Sequence, residues 1–205
     1  MTSASNPSNF NALGLIPELV ARLSDLEYTQ PTPIQAKAIP SILAGNDLIA
    51  GANTGSGKTA AFALPILQKI SQGALKRDAK GNYVSALILV PTRELATQVA
   101  DNVKSYSAYF NGAIKTMAVF GGVSVNTQMQ ALRGGADIIV ATPGRLLDLI
   151  SSNAIKLDKV NTLVLDEADR LLSLGFTEEL AELLALMPAK KQTMLFSATF
   201  LEQVM

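Results

Sequence analysis

Two stretches hold the residues whose types and spacing point to chemistry. The first, Ala52 to Thr59, reads Ala-Asn-Thr-Gly-Ser-Gly-Lys-Thr and sits between the apolar Leu48-Ile49-Ala50 and the helix-forming Ala60-Ala61-Phe62-Ala63-Leu64. A glycine-rich turn from a strand into a helix is a phosphate cradle. Its backbone N–H groups and the helix dipole face the anion, a lysine adds a point charge, and a hydroxyl can bind Mg²⁺. Ala52, Asn53, Thr54, Gly55, Ser56 and Gly57 would form that turn, Lys58 the charge and Thr59 the metal-side hydroxyl. Gly55 and Gly57 stand where a side chain would block the turn or the approaching phosphate. Ala52 departs from the pattern G-x-x-x-x-G-K-[ST] by one methyl group. The second stretch, Leu163-Val164-Leu165-Asp166-Glu167, is an apolar strand ending in carboxylates. Asp166 would stand beside a phosphate-bound metal, and Glu167 would orient or deprotonate an attacking water. These two acids alone equally suit the start of a helix, where the dipole favours negative charge; the upstream phosphate loop favours catalysis.

Composition bounds the alternatives. The 205 residues are 48% hydrophobic, enough for one substantial core. With no Cys and no His, zinc fingers, thiol nucleophiles, histidine bases and disulfides are excluded, and a reducing cytoplasmic setting is expected. Acid–base chemistry falls to carboxylates, Lys or Tyr. The polar N-terminus lacks the features of a signal peptide, and no apolar stretch is long enough to span a bilayer, so no membrane role is expected. Lys plus Arg equals Asp plus Glu at 17 each, so no net positive field draws in nucleic acid. Any nucleic acid must be held by local geometry.

Positioning these residues requires an alternating chain. Apolar spacing from Phe10 through Leu26 predicts a short amphipathic helix with Pro17 in its first turn. Thr32 can cap a second helix that starts at Pro33 and ends near Gly45. Six apolar runs then read as strands, at 47–52, 85–90, 115–120, 137–141, 162–166 and 192–197. Helical patterns at 58–71, 92–110, 125–132, 144–151 and 177–186 separate them. Short, fully apolar strands alternating with helices predict an α/β fold with a mainly parallel sheet covered by helices on both faces. Ligands of such sheets bind beyond the carboxyl ends of the strands. The residues there are the phosphate loop, Pro91-Thr92-Arg93-Glu94, Gly121-Gly122, Thr142-Pro143-Gly144-Arg145, Asp166-Glu167-Ala168-Asp169 and Ser197-Ala198-Thr199.

Asp166-Glu167-Ala168-Asp169, with these other motifs in the same order, resembles the DEAD-box ATP-dependent RNA helicases, in particular their first RecA-like domain and the bacterial RhlE-type branch. The likeness runs from Phe10 to Phe200. It implies a RecA-like P-loop NTPase domain over 10–205, comprising a Q-motif segment, 10–45, and a phosphate-loop core, 46–205. Residues 1–9 would form a disordered tail, and the second RecA-like domain of the family would lie outside this chain. The implied ligands are ATP and Mg²⁺, the latter at Thr59 and Asp166, partly through water. The implied partners are RNA and that second domain.

Carried over residue by residue, Gln35 resembles the Q-motif glutamine that reads adenine, which suits a carboxamide able both to donate and to accept. Tyr28 would stack on the base and Phe10 would brace the segment, though as residues both also fit core or turn aromatics. Glu27 stands where the family usually has Gly. Pro91, Thr92, Arg93 and Glu94, then Gly121 and Gly122, then Thr142, Pro143, Gly144 and Arg145 resemble the elements that grip the sugar-phosphate backbone of one RNA strand. Backbone contacts of this kind carry little sequence preference. The same residues serve as helix caps, and Arg93 can be an ion-pair partner. Ser197 and Thr199 resemble the element that couples nucleotide state to strand separation through Asp169, and their hydroxyls could equally cap a helix. Isolated from a second domain and its arginines, the chain is expected to hydrolyse ATP weakly. A DNA translocase, or a nucleotide- or RNA-binding module without turnover, are the competing readings.

Overall fold

A computed structural model describes residues 9–51, 53, 55–75, 81–110 and 114–199. Ala52 and Thr54 of the phosphate loop, the tail before Asn9 and the chain after Thr199 lie outside the described residues. The strands are β1 (Leu48–Gly51), β2 (Val84–Leu89), β3 (Thr116–Val119), β4 (Ala136–Ala141), β5 (Thr162–Leu165) and β6 (Gln192–Ser197). They form one parallel sheet in the order β1-β6-β5-β2-β4-β3. The α/β expectation holds, and each of the six apolar runs overlaps a strand, β2 and β4 beginning one residue earlier than expected.

The helices are α1 (Pro17–Asp25), α2 (Pro33–Leu43), α3 (Lys58–Ser71), α4 (Arg93–Tyr106), α5 (Val125–Ala131), α6 (Pro143–Ser151), α7 (Ala168–Ser173) and α8 (Thr177–Ala185). On one face of the sheet, Ile88, Val140, Val164 and Phe196 pack with residues of α1 to α4, and the rings of Phe62 and Phe196 lie 5.4 Å apart. On the other, Leu87, Leu89, Ile139 and Leu163 pack with Leu146, Leu171 and Leu183. Alternate residues of β2 therefore serve opposite cores, as the two-residue period of a strand dictates. Burying each such leucine or isoleucine contributes about 1.5–3 kcal/mol.

Three local expectations are corrected. The single N-terminal helix is instead a 3-10 turn, Phe10–Leu13, followed by α1. Gly14 between them has φ +84°, outside the helical region, and Pro17 lacks the N–H that a continuous helix would need. The short helix α7, directly after Asp166-Glu167, has no counterpart among the sequence-derived helices. At six residues it is too short for its period to be read. The helix expected over 92–110 ends at Tyr106 and continues as a 3-10 turn, Ser107–Tyr109.

Candidate nucleotide and nucleic-acid site

Because every strand runs the same way, all six following segments emerge at one edge. The strand order sorts them. The phosphate loop after β1, Ser197-Ala198-Thr199 around the end of β6 and Asp166-Glu167 after β5 stand side by side. The segments after β2, β4 and β3 occupy the other half.

In the first half, a cavity of about 460 Å³ is bordered by Tyr28, Gln35, Lys58, Thr59, Asp166 and Glu167, with Gly55 and Gly57 at its rim. Gly55 (φ +81°) and Gly57 (φ +89°) both adopt the left-handed region that glycine alone enters freely. Gly57 turns the chain into α3, which places Lys58 at the first helical position. Lys58 Nζ is buried without a hydrogen-bond partner among the described residues and lies 3.5 Å from Asp166 Oδ1. Burial pushes the Asp166 carboxyl above its usual range, against the opposing pull of Lys58. A buried ammonium that meets a buried carboxylate at 3.5 Å and makes no hydrogen bond among the described residues, at the mouth of a glycine turn, fits a phosphate–metal pair. Thr59 and Asp166, which both border the cavity, could hold such a metal. Mg²⁺ characteristically takes one or two protein ligands and completes its shell with water and phosphate oxygens. Among the described residues there is no cluster of three or more acidic ligands.

Glu167 has φ +53°, and Arg170 Nη1 donates to its Oε2 at 3.0 Å. Its own N–H donates to Asp166 Oδ1 at 3.0 Å, which ties the two acids together. Ser56 borders a neighbouring recess, its Oγ buried without a partner among the described residues, and Asn53 is exposed with its carbonyl accepting from the Ser56 N–H at 3.2 Å.

Gln35 is buried, with both ends of its amide engaged. Oε1 accepts from the Thr32 N–H at 2.9 Å, which caps α2, and Nε2 donates to the Gly57 carbonyl at 3.2 Å. One donor hydrogen and one lone pair remain, in a fixed orientation. The glutamine is thus fastened to the phosphate loop itself. Tyr28 is partly exposed, and its ring meets that of Tyr106 edge-on with 6.2 Å between centroids and 3.3 Å between hydroxyls. Burial and the Tyr28 hydroxyl push the Tyr106 phenol well above its usual range. Glu27, at φ +62°, follows the end of α1. The left-handed turn favours glycine, and here Glu bears the strain.

Phe10 is not brought to this cavity. It is 4% exposed, packs within the core and does not border the pocket. Conversely, Leu95, Gln98, Asn102 and Tyr106 border the cavity. Sequence reasoning missed them; their three- and four-residue spacing marks one face of a helix, but an amphipathic pattern does not say what the face meets.

The residues expected to couple, Asp169, Ser197 and Thr199, do meet. Asp169 Oδ2 accepts from Thr199 Oγ1 at 2.9 Å and from the Thr199 N–H at 3.2 Å, while Ser197 Oγ donates to the Thr199 carbonyl. Partial burial would raise the Asp169 carboxyl, but the hydrogen bonds from Thr199 outweigh it and hold the group below its usual range.

In the second half, Thr92 caps α4 by accepting from the Leu95 N–H at 3.2 Å, and Pro91 precedes it. Arg93 and Glu94 are exposed and 3.4 Å apart. A Cβ built on Gly122 would stand 3.3 Å from Arg93 Nη1, so the arginine overhangs the Gly121-Gly122 turn. Thr142, Pro143 and Gly144 open α6. Arg145, expected at the RNA backbone, donates to the Val123 carbonyl at 2.9 Å and stands 3.5 Å from Asp148, its side chain largely buried. It positions the glycine turn.

A parallel sheet carrying a phosphate loop and a strand-terminal acid defines a P-loop nucleotide-binding domain. Residues 32–205 match the DEAD/DEAH box helicase family, and the chain belongs to it. It is 49% identical over 191 residues to the ATP-dependent RNA helicase DRS1 of Kluyveromyces lactis, covering 93% of this chain and 25% of that protein. It is 44% identical over 197 residues to the ATP-dependent RNA helicase DeaD of Escherichia coli K12, covering 96% and 30%. The crystal structure of a DEAD box protein from the hyperthermophile Methanococcus jannaschii superimposes with a TM-score of 0.87 at 37% identity, covering 98% of this chain and 52% of that one. The chain therefore spans a quarter to a third of the curated relatives named here.

Proposed function

We propose that this chain is the ATP- and RNA-binding half of an ATP-dependent RNA helicase, separating short duplexes when joined to a second RecA-like domain. The observation that carries it is the Gln35 carboxamide, bonded to the Gly57 carbonyl in the same cavity as Lys58 and Asp166. One side chain thereby links recognition of the base to the seat of the phosphates. Lys58 would hold the terminal phosphates, Thr59 and Asp166 the Mg²⁺, and Glu167 the attacking water, its carboxylate steadied by Arg170. Bound Mg²⁺ would neutralise phosphate charge as the terminal phosphoryl group departs. Lys58 is the one cation among the described residues bordering the cavity. Arginines supplied from outside can raise phosphoryl-transfer rates by about three to five orders of magnitude, so the chain alone should bind nucleotide with little turnover. Thr92, Arg93, the Gly121-Gly122 turn and the start of α6 would hold the RNA backbone through N–H groups and hydroxyls.

Calorimetry on the 205-residue chain tests this. ADP should bind more tightly than GDP by about tenfold or more, a preference that Gln35→Ala abolishes. Single-stranded RNA should bind more tightly than DNA of the same sequence. Equal affinity for ADP and GDP would overturn the nucleotide assignment, and a preference for DNA would favour a translocase.

A further inference from the structure

The loops that lead into the strands gather at the edge of the sheet opposite the phosphate loop, and the strand order sorts them as well. Lys190 and Lys191 precede β6, Lys156 and Lys159 precede β5, Tyr83 precedes β2, Arg133 precedes β4 and Lys115 precedes β3. Hydrogen bonds tie neighbouring loops together. The Lys156 N–H donates to the Asn82 carbonyl at 2.8 Å, the Gly134 N–H to Asn82 Oδ1 at 2.9 Å, and Lys115 Nζ to the Arg133 carbonyl at 2.9 Å. From β6 to β3 the sheet has five adjacent strands, so at about 4.8 Å between neighbours these residues form a stripe about 19 Å long.

Charge is divided unequally between the two edges, although the chain as a whole is neutral. At the carboxyl edge Lys58, Arg93, Arg145 and Arg170 each stand within 3.5 Å of a carboxylate. At the amino edge Arg133, Lys156, Lys159 and Lys190 are exposed, and neither they nor Lys191 form an ion pair among the described residues. Two nearby acids are committed to the backbone: Asp137 accepts from the Lys115 N–H and Asp47 from the Thr193 N–H, both at 2.7 Å. Asp158 is the exposed acid left among the described residues of these loops. Lys156 Nζ lies 6.0 Å from the centroid of the Tyr83 ring, so a half-buried aromatic stands within the line of cations. Unpaired cations with an aromatic ring among them match what a single-stranded nucleic acid presents, a row of phosphates and the π-faces of its bases.

We propose that the amino edge of the sheet is a second RNA surface, which holds RNA lying outside the strand gripped at the carboxyl edge. Arg133, Lys156, Lys159, Lys190 and Lys191 take its phosphates, and Tyr83 stacks on a base. The two surfaces differ in kind. The carboxyl edge offers N–H groups and hydroxyls, whose hold depends little on salt. The amino edge holds by neutralising phosphates, which releases counterions and steepens the fall of log affinity with log salt by about 0.7 for each phosphate of a single strand. The choice of RNA as the polyanion rests on the function proposed above.

The test titrates oligouridine of about twelve nucleotides into the 205-residue chain, followed by backbone amide NMR and, over a range of salt, by fluorescence anisotropy. Amide shifts are expected at Asn82, Gly134, Lys156 and Lys159 as well as at Gly121 and Gly122. The double variant Lys159→Gln, Lys190→Gln should flatten the salt slope by about 1.4, with Tm and ADP affinity unchanged. The matched pair Lys37→Gln, Lys104→Gln, likewise exposed but on α2 and α4, should leave the slope as it was. Shifts confined to Gly121 and Gly122, or equal flattening in the two double variants, would overturn the amino-edge surface and leave the carboxyl-edge assignment standing. Shifts at the amino edge alone would support this surface and overturn the carboxyl-edge grip instead. Vesicles of equal parts phosphatidylserine and phosphatidylcholine are titrated in parallel; amino-edge shifts with vesicles and none with oligouridine would make the surface a lipid contact and refute RNA as its occupant.

Discussion

Replacing Gly57 by alanine should damage the base-reading and phosphate-holding parts of the cavity together. The new Cβ would lie 2.4 Å from Gln35 Nε2 and 3.0 Å from Thr32 Oγ1. Gln35 is buried and held at both ends, so its amide cannot step aside without breaking the bonds to the Gly57 carbonyl and the Thr32 N–H. Each such bond contributes about 0.5–1.5 kcal/mol, giving a loss of about 1–3 kcal/mol. The left-handed φ of +89° adds about 1–2 kcal/mol for any residue with a Cβ. Gly55 is the internal control, because at φ +81° its Cβ would meet nothing within 4 Å. Urea unfolding should therefore show Gly57→Ala costing about 1–3 kcal/mol more than Gly55→Ala, with unchanged m-values. Placed in a Gln35→Ala background, most of that excess should disappear, because the obstructing amide is gone. Equal losses at the two glycines, or an excess that persists without Gln35, would refute the proposed fastening of the base reader to the loop.

Two predictions concern the acids. In Lys58→Met, the Asp166 carboxyl loses the cation that opposes its burial, so its titration should rise further. A carboxyl raised in the folded state binds its proton more tightly there than when unfolded. The stability lost in Lys58→Met should therefore grow as pH rises above the ordinary carboxylate range, approaching the several kcal/mol typical of an unpaired buried charge. Unfolding at about pH 5 and pH 8 checks this, and a pH-independent loss would contradict it. Asp169 shows the opposite sign: its depressed carboxyl stabilises the fold above the ordinary value of about 3.9, and that contribution is lost as pH falls through the folded value. Thr199→Val removes the hydroxyl donor at 2.9 Å, so the Asp169 carboxyl, followed by NMR, should titrate at higher pH than in the unsubstituted chain.

Much of this protein could be read from residues in a row. Phosphate loops and strand-terminal acids are local devices: Gly57, Lys58 and Thr59 act through the turn they themselves form, so their chemistry is visible without a fold. The strands were legible because β2 and β4 are buried on both faces and carry the apolar runs 86–89 and 138–141. Alternation with helices fixed the sheet as parallel and so put every motif at one edge. What the linear order could not supply was which motifs are neighbours there. The chain visits the motifs in the order of the six strands, but hydrogen bonding between strands far apart in sequence arranges them as β1-β6-β5 beside β2-β4-β3. That sorting brings Lys58 to Asp166 and Thr199 to Asp169, and sets α4 against the nucleotide cavity. It likewise sends Phe10 into the core and turns Arg145 inward to Val123. Residue types and spacing determined which groups this protein possesses; long-range strand pairing and the packing of α4 decided which of them meet, because those contacts depend on surfaces that exist only once the sheet is assembled.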